Sequence, residues 1–547
     1  MKLYEALAAA FAREDVTDCF ALLGDANMHW AGALQELGTR GIYTRHEHAA
    51  VAAAAAYARA SGKVGVASVT CGPGLTQIMT ILPIAVRARL PLVIFAGEAP
   101  LNKPWYNQGI DQAPFVAACG AEYRALHDPE TMVEEVHRAF ADARAQAAPI
   151  VLGMPFDLQQ QTAPASEPRT GGVRKAKAEE SAPDKAALDE AAAWIATAQR
   201  PVILAGLGAV AAGAAPACAA LAARTGALLA TTLPAKGLFR QQDFCLGVAG
   251  GYSSVKAREV FAQADLVIAI GARLAAHTFD SGKLTPEARV IHIDLDPQAH
   301  VQGRNAADLL VRADARHAAE ALTQALPART GWRSEEMRTT CAEALTIPDD
   351  SDTPDGLLHP LAVVKALSQI IPPDAHVINT SGHCAWFTAQ MNDHPQENYT
   401  VMREFGAIGN GSSFAIGVAA AKPDRPIVLI DGDGSALMHI QELETMQRAG
   451  LHVLTIVLND GAYGSEIHKL RADGVPLHGS VFGRPGFAAV ARGFGLAGET
   501  ITDLAAMTPA YAAFAAGSTP ALWDVHISAE ITSPQILRAH AAAHASV

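Results

Sequence analysis

Short β-branched and leucine-rich runs alternate along the chain with longer alanine-rich stretches whose apolar positions recur at helical spacing. Continuous apolar runs bounded by Gly, Pro or Asp read as strands buried on both faces, and their alternation with helices is the pattern of parallel α/β sheets. Strands are predicted at Val64–Val69, Leu92–Ala96 and Ile150–Met154, then at Val202–Ala205, Ala227–Thr231, Leu266–Ile270 and Val290–Leu295. A last group falls at Val377–Asn379, Ile427–Ile430, Val453–Leu458 and Leu522–Ile527. The opening MKLYEALAAAFARED reads as an amphipathic helix carrying charges throughout, unlike a signal peptide.

Two polar stretches divide the strand groups. Gln160 to about Lys185 is rich in Pro and Lys and reads as a linker, and Pro348–Gly356 (PDDSDTPDG) marks a second boundary. The expectation is an α/β chain of three doubly wound parallel-sheet domains, at 1–165, 186–330 and 357–535. No short repeat is visible, which excludes a solenoid. Pro201–Ala223 is uncharged and long enough to span a bilayer. Gly206, Gly208, Gly213 and Pro216 interrupt it, so a strand, a glycine turn and a helix are expected instead.

With 547 residues the chain exceeds one hydrophobic core, and its 50% apolar and 18% charged residues are ordinary for a globular protein. The net charge of −13 has no basic block within it, which argues against nucleic acid and anionic membrane surfaces as partners. Seven scattered cysteines without a Cys-x-x-Cys pair fit a reducing cytoplasm and no zinc site.

The strongest chemical signal is IVLIDGDGS at 427–435, followed at 453–460 by VLTIVLND. Gly432 and Gly434 allow the backbone to approach a phosphate, and a helix opening after Ser435 points free amides at it. Asp433 and Asp460, with the carbonyl of Ala462, offer oxygen ligands to a hard cation such as Mg²⁺. Gly-Asp-Gly alone is compatible with a plain turn; the second strand ending in Asn459-Asp460 favours a diphosphate and metal site.

These segments resemble the thiamine diphosphate family typified by acetolactate synthase, pyruvate decarboxylase and benzaldehyde lyase. Its cofactor motif is Gly-Asp-Gly followed by roughly 25–30 residues ending in Asn-Asn. Asp460 stands where the second Asn would ligate the metal. The run YTRHEHAAVAAAAAYARASGKVGVASVTCGPG at 43–74 is similar to the family's activating segment, which implies that Glu47 is the acid bonded to the cofactor's aminopyrimidine, ahead of the Gly72-Pro73-Gly74 loop. REFGAIGNGSS at 403–413 resembles the family's glycine loop. The resemblance implies that the Gly406 carbonyl accepts from the cofactor's amine and that Ile408 wedges between its rings.

The resemblance runs through the whole chain and implies pyrimidine-binding, middle and diphosphate-binding domains. The cofactor then lies between the first domain of one subunit and the third of another, so a homodimer or homotetramer is expected. It also implies a carboligase or decarboxylase acting on a 2-oxo acid such as pyruvate, whose enamine is joined to a second carbonyl. Gln108 in LNKPWYNQGIDQAPF takes the place of the active-site Gln of acetolactate synthases. Asp25 in LLGDANMHW and Glu466 in NDGAYGSE instead resemble the proton-relay acids of pyruvate decarboxylases; as bland readings, Asp25 is a helix cap and Glu466 a surface residue. His46, His48, His383 and His468 stand close to these motifs. Some relatives bind FAD in the middle domain, but GARLAAHTFDSG at 271–282 lacks the Arg-Phe-Asp-Asp run of flavin-binding acetolactate synthases, so FAD is the less expected cofactor. A simple decarboxylase, a 2-hydroxy ketone lyase and an FAD-linked oxidase remain alternatives. A nicotinamide dehydrogenase is disfavoured, because no Gly-x-Gly-x-x-Gly follows a first strand with an acid beyond it.

Overall fold

The computed structural model describes residues 1–164 and 184–538. Three six-stranded sheets carry the fold, and every strand pair in them is parallel. The first sheet runs, in spatial order, Arg40–Tyr43, Asp18–Ala21, Gly65–Val69, Leu92–Glu98, Pro149–Pro155 and Glu122–Ala125. The second runs Leu309–Arg312, Arg289–Asp294, Leu266–Ile270, Pro201–Ala205, Leu228–Thr231 and Cys245–Val248. The third runs Tyr399–Val401, His376–Asn379, Ile427–Gly432, Val453–Asn459, Ala521–His526 and Ala497–Ile501. The expected linker from Gln160 to Lys185 falls largely on residues 165–183, outside those described.

All eleven expected strands are present, displaced by at most two residues at their ends. Seven strands of the sheets were not expected: Asp18–Ala21 and the outermost pair of each sheet. Outer strands such as Glu122–Ala125 and Ala497–Ile501 are partly exposed and admit polar residues, so they lack the continuous apolar run of a central strand. The uncharged stretch Pro201–Ala223 resolves into strand Pro201–Ala205 and helices Leu207–Ala211 and Ala215–Thr225. Among the described residues no helix is long and apolar enough to cross a membrane. All seven cysteines carry free thiols.

The order of strands decides where a ligand can sit. In the first sheet, the chain leaves Asp18–Ala21 towards one edge and Gly65–Val69 towards the other, which opens a crevice at the carboxyl ends of these neighbours. The third sheet repeats the arrangement at His376–Asn379 and Ile427–Gly432. Both crevices lie at chain reversals of the same kind.

The first and third sheets are joined through helix Glu47–Ser61 packed on helix Gly411–Ala421, and one apolar core runs through both. The run Ala49–Ala56 is wholly buried because it has a neighbour on each side rather than on one face. A Cβ on Gly417 would meet the Ala53 carbonyl oxygen at 2.0 Å, so the backbones approach as closely as only glycine allows. Gly32, central in helix Met28–Glu36, has nothing within 4 Å of such an atom. Gly417→Ala is therefore expected to destabilise by about 1–3 kcal/mol despite its better helix propensity. Gly32→Ala is expected to stabilise by roughly 0.5–1 kcal/mol. Denaturant melts of the two variants check both signs.

Candidate active site

Four expected residues follow four neighbouring strands of the first sheet at its carboxyl edge. Glu47 follows Arg40–Tyr43, Asp25 follows Asp18–Ala21, Gly72 follows Gly65–Val69, and Gln108 follows Leu92–Glu98. Glu47 is the first residue of its helix, whose start is capped by the His46 imidazole: Nδ1 accepts from the His48 N–H at 3.1 Å. The Glu47 carboxyl is half-buried, and burial holds it above the usual carboxylate range. Its Oε1 lies 3.7 Å from where a Cβ on Gly74 would be, which places it against the glycine loop. Gly72 adopts φ +61°, and a Cβ there would strike the Gln108 carbonyl oxygen at 2.2 Å. Its N–H donates to Gln112 Oε1 at 2.9 Å, while the Gln108 Oε1 accepts from the Cys71 thiol at 3.3 Å.

Asp25 is exposed, and its charge helps to raise Cys71 and Tyr106, which places it on the same rim. It is not a helix cap. Asn27 stands at that position and instead closes the turn, accepting from Gly24 N–H at 2.8 Å and donating to Ser68 Oγ at 2.9 Å.

On the third sheet, Asp433 and Asp460 end adjacent strands and are both buried. Asp433 accepts from the N–H of Gly434 at 2.8 Å and of Gly461 at 2.7 Å; Asp460 accepts from the Ala462 N–H at 3.1 Å. Burial pushes Asp433 up to about 6, and burial together with Asp433 drives Asp460 well above its ordinary value. Two desolvated carboxyls facing one another could hold a cation in place of a shared proton. Among the described residues no group of three or more His, Cys, Asp or Glu side chains could hold a metal ion, so any cation at this pair would need other oxygens to complete its shell. The hydroxyl of Ser381, after strand His376–Asn379, is buried without a hydrogen-bond partner, which leaves a polar group free for a bound molecule.

The short helix at the Gly-Asp-Gly turn begins at Asp433 rather than after Ser435. Ser435 Oγ donates to Asp431 at 3.0 Å and accepts from the Gly409 N–H at 2.8 Å, so its side chain braces the turn. Asp431 itself, not singled out from the sequence, also holds Thr380 Oγ1 at 2.7 Å and the Gly432 N–H at 2.9 Å. A Cβ on Gly434 would overlap the Tyr463 ring at 2.6 Å, so glycine is needed there for packing as well. Gly406 has φ +75° and is exposed, with Ile408 half-buried two residues on.

Glu466 is exposed and pairs with Lys469 at 3.5 Å across one turn, the arrangement of a surface residue. It stands on the third sheet, whereas Asp25 stands on the first. His383 lies beside Asp460: a Cβ on Gly464 would touch Asp460 Oδ2 at 2.5 Å and His383 Nδ1 at 2.9 Å. His383 Nε2 accepts from the Ser533 N–H at 3.0 Å, and burial pushes the imidazole down to about 3, so it is neutral. His468 lies 4.7 Å from it, ring to ring, and bonds Thr532.

Other groups stand where the two domains meet, among them Glu442, His439 and Asn410, which no motif in the sequence singles out. Glu442, buried and pushed up to about 7, accepts from the Arg45 N–H at 3.0 Å just before Glu47. His48, stacked on His439 at 5.0 Å, bonds Asn410 at 2.6 Å. No local pattern marks such pairs, because their partners lie far away in sequence.

Residues 1–114 match the N-terminal TPP binding domain of thiamine pyrophosphate enzymes, 188–322 their central domain, and 380–525 their C-terminal TPP binding domain. The acetolactate synthase large subunit of Parasynechococcus marenigrum is 31% identical over 95% of this chain and 87% of its own length. A probable 2-ketoarginine decarboxylase of Pseudomonas aeruginosa is 29% identical over 91% of this chain and 89% of its own. A thiamine diphosphate-dependent 4-hydroxybenzoylformate decarboxylase from Rhodococcus jostii shares the fold, with a TM-score of 0.82 and 21% identity over 96% of this chain and 99% of that one. With its three domains matched in order and its relatives aligned over nearly its whole length, the chain belongs to the thiamine pyrophosphate enzyme family.

Proposed function

We propose that the protein is a thiamine diphosphate- and Mg²⁺-dependent carboligase that decarboxylates a 2-oxo acid such as pyruvate and joins the remaining fragment to a second carbonyl compound. The observation that carries the reading is the pairing of two carboxyl environments at equivalent sheet crevices: Glu47, desolvated beside the Gly72–Gly74 loop, and the buried Asp433–Asp460 pair. Similarity to acetolactate synthase large subunits favours ligation over simple decarboxylation.

Asp433, Asp460 and the Ala462 carbonyl would hold Mg²⁺ against the diphosphate, with Gly432 and Gly434 lining its approach. Bound thiamine diphosphate supplies an electron sink for the bond beside a carbonyl. Glu47, raised above its ordinary value by half-burial, would release and recover a proton at its carboxyl oxygens. Gly406 and Ile408 would orient the cofactor, while Gln108 and the neutral His383 would stand near the substrate carbonyl.

Exposed apolar side chains stand in both carboxyl-edge regions, among them Trp105 at 78% and Ile110 on the first domain, and Met438 and Val481 on the third. Such surfaces suit burial against a second copy, supporting a homodimer or homotetramer whose sites are completed across the interface. Free thiols throughout suit a cytoplasmic setting. A second reading, plain decarboxylation, draws on Asp25, an exposed acid on the same rim as Gln108.

Proton NMR of the protein with thiamine diphosphate, Mg²⁺ and pyruvate, alone and beside aldehyde acceptors, separates the two. An acyloin or acetolactate product is expected; a free aldehyde in its place would give the second reading. Glu47→Gln is expected to lower turnover roughly 100- to 10,000-fold while calorimetry still detects cofactor binding. Asp433→Asn is expected to raise the Mg²⁺ needed for half-maximal activity by about 10–100-fold or more, since a direct ligand should cost at least as much as an outer one.

A further inference from the structure

The glycine loop is tied down at consecutive peptides by groups that the proposed chemistry leaves unused. Asn410 Nδ2 donates to the Ala407 carbonyl at 3.2 Å, which turns its Oδ1 towards His48. That oxygen can only accept, so His48 Nε2 carries the proton in the 2.6 Å bond between them. One peptide further on, the Gly409 N–H donates to Ser435 Oγ at 2.8 Å, and on the next peptide the Gly409 carbonyl accepts from His439 Nδ1–H at 2.7 Å. Ser435 in turn is held by Asp431, two residues before Asp433. His48, Asn410 and His439 are all buried, at 6%, 3% and 8% exposure. Ile408 is thus suspended between a peptide pinned at Ala407 and another pinned at Gly409.

We infer that His48 and Asn410, with His439, are positioning residues that preset the Gly406–Gly409 loop for thiamine diphosphate. His48 is the residue after Glu47, so the same network joins the start of the acid's helix, the loop and the diphosphate turn. A buried hydrogen-bond network with each tie satisfied holds one conformation, and the ordering cost is then met on folding rather than on binding. The ties are made within one chain, so they set the loop whichever subunit supplies the facing Glu47. The inference rests on the loop having the role in cofactor binding proposed above.

The test is the Kd for thiamine diphosphate, by calorimetry with Mg²⁺ present, alongside kcat at saturating cofactor and Tm. Asn410→Asp keeps an acceptor for His48 but loses the donor to Ala407. It is expected to weaken cofactor binding at least about tenfold, as loss of a buried hydrogen bond can, with Tm within a few degrees of the parent. At saturating cofactor, kcat should stay within about threefold, because the loss is one of binding rather than of chemistry. His48→Leu should weaken binding similarly, and His48→Gln, which places an amide donor near the former Nε2, should restore it. Should Asn410→Asp not fold, His439→Phe, which keeps the ring and loses the donor to Gly409, carries the same expectation. Unchanged Kd in these variants, or His48→Gln no better than His48→Leu, overturns the inference. If the parent protein itself binds no thiamine diphosphate, the proposed function falls and this inference with it.

Discussion

The contact on which the rest of the structure depends is the crossing of helices Glu47–Ser61 and Gly411–Ala421. The first helix is mostly alanine on its buried length, and Gly417 of the second lets one backbone lie against the other at Ala53. Small side chains leave little rotamer entropy to lose, so a tight interface forms at low cost once both helices exist. Its consequence is positional. The first helix starts at Glu47 and the second starts just after the Gly406–Gly409 loop, so the packing that joins two domains also brings an acid and a glycine loop to one level. The bond from His48 to Asn410 fixes that level with a polar contact.

The first and third sheets use one topological solution for two electrostatic tasks. At the first crevice, partial burial keeps a single carboxyl, Glu47, prone to hold its proton. At the third, burial raises a pair, Asp433 and Asp460, and the neighbouring Asp433 raises Asp460 further. Backbone amides from Gly434, Gly461 and Ala462 hold the two carboxylates in place, so the loops are shaped before any ligand arrives. The order of strands alone puts these groups at carboxyl edges, where loops can vary without disturbing the buried sheets.

Histidines are abundant near both crevices, yet their surroundings keep them neutral. His48 and His468 are pushed down to about 4 and His383 to about 3, each chiefly by burial. They act as oriented donors and acceptors: His46 caps a helix, His439 holds Gly409 and His383 accepts from Ser533. Glu466, which from its place after Asp460 reads equally as a proton relay or a surface acid, is exposed and bound to Lys469.

By itself the sequence determined the α/β class, the central strands of all three sheets except Asp18–Ala21, and the segments bearing Glu47, Gly72, Asp433 and Asp460. These depend on local patterns: apolar runs buried on both faces, and small or acidic residues where strands end. The outer strands were not legible, because half-exposed strands such as Arg40–Tyr43 mix polar and apolar residues without a continuous run. Nor could the sequence assign Asp431, Ser435, His439, Glu442 or Asn410 their roles. Each bonds a group brought near only by the sheet order and the helix crossing, as His48 does with Asn410 across 362 residues. Local pattern encodes which element forms; which side chains meet is decided by packing, and that information exists only once the domains have closed on one another.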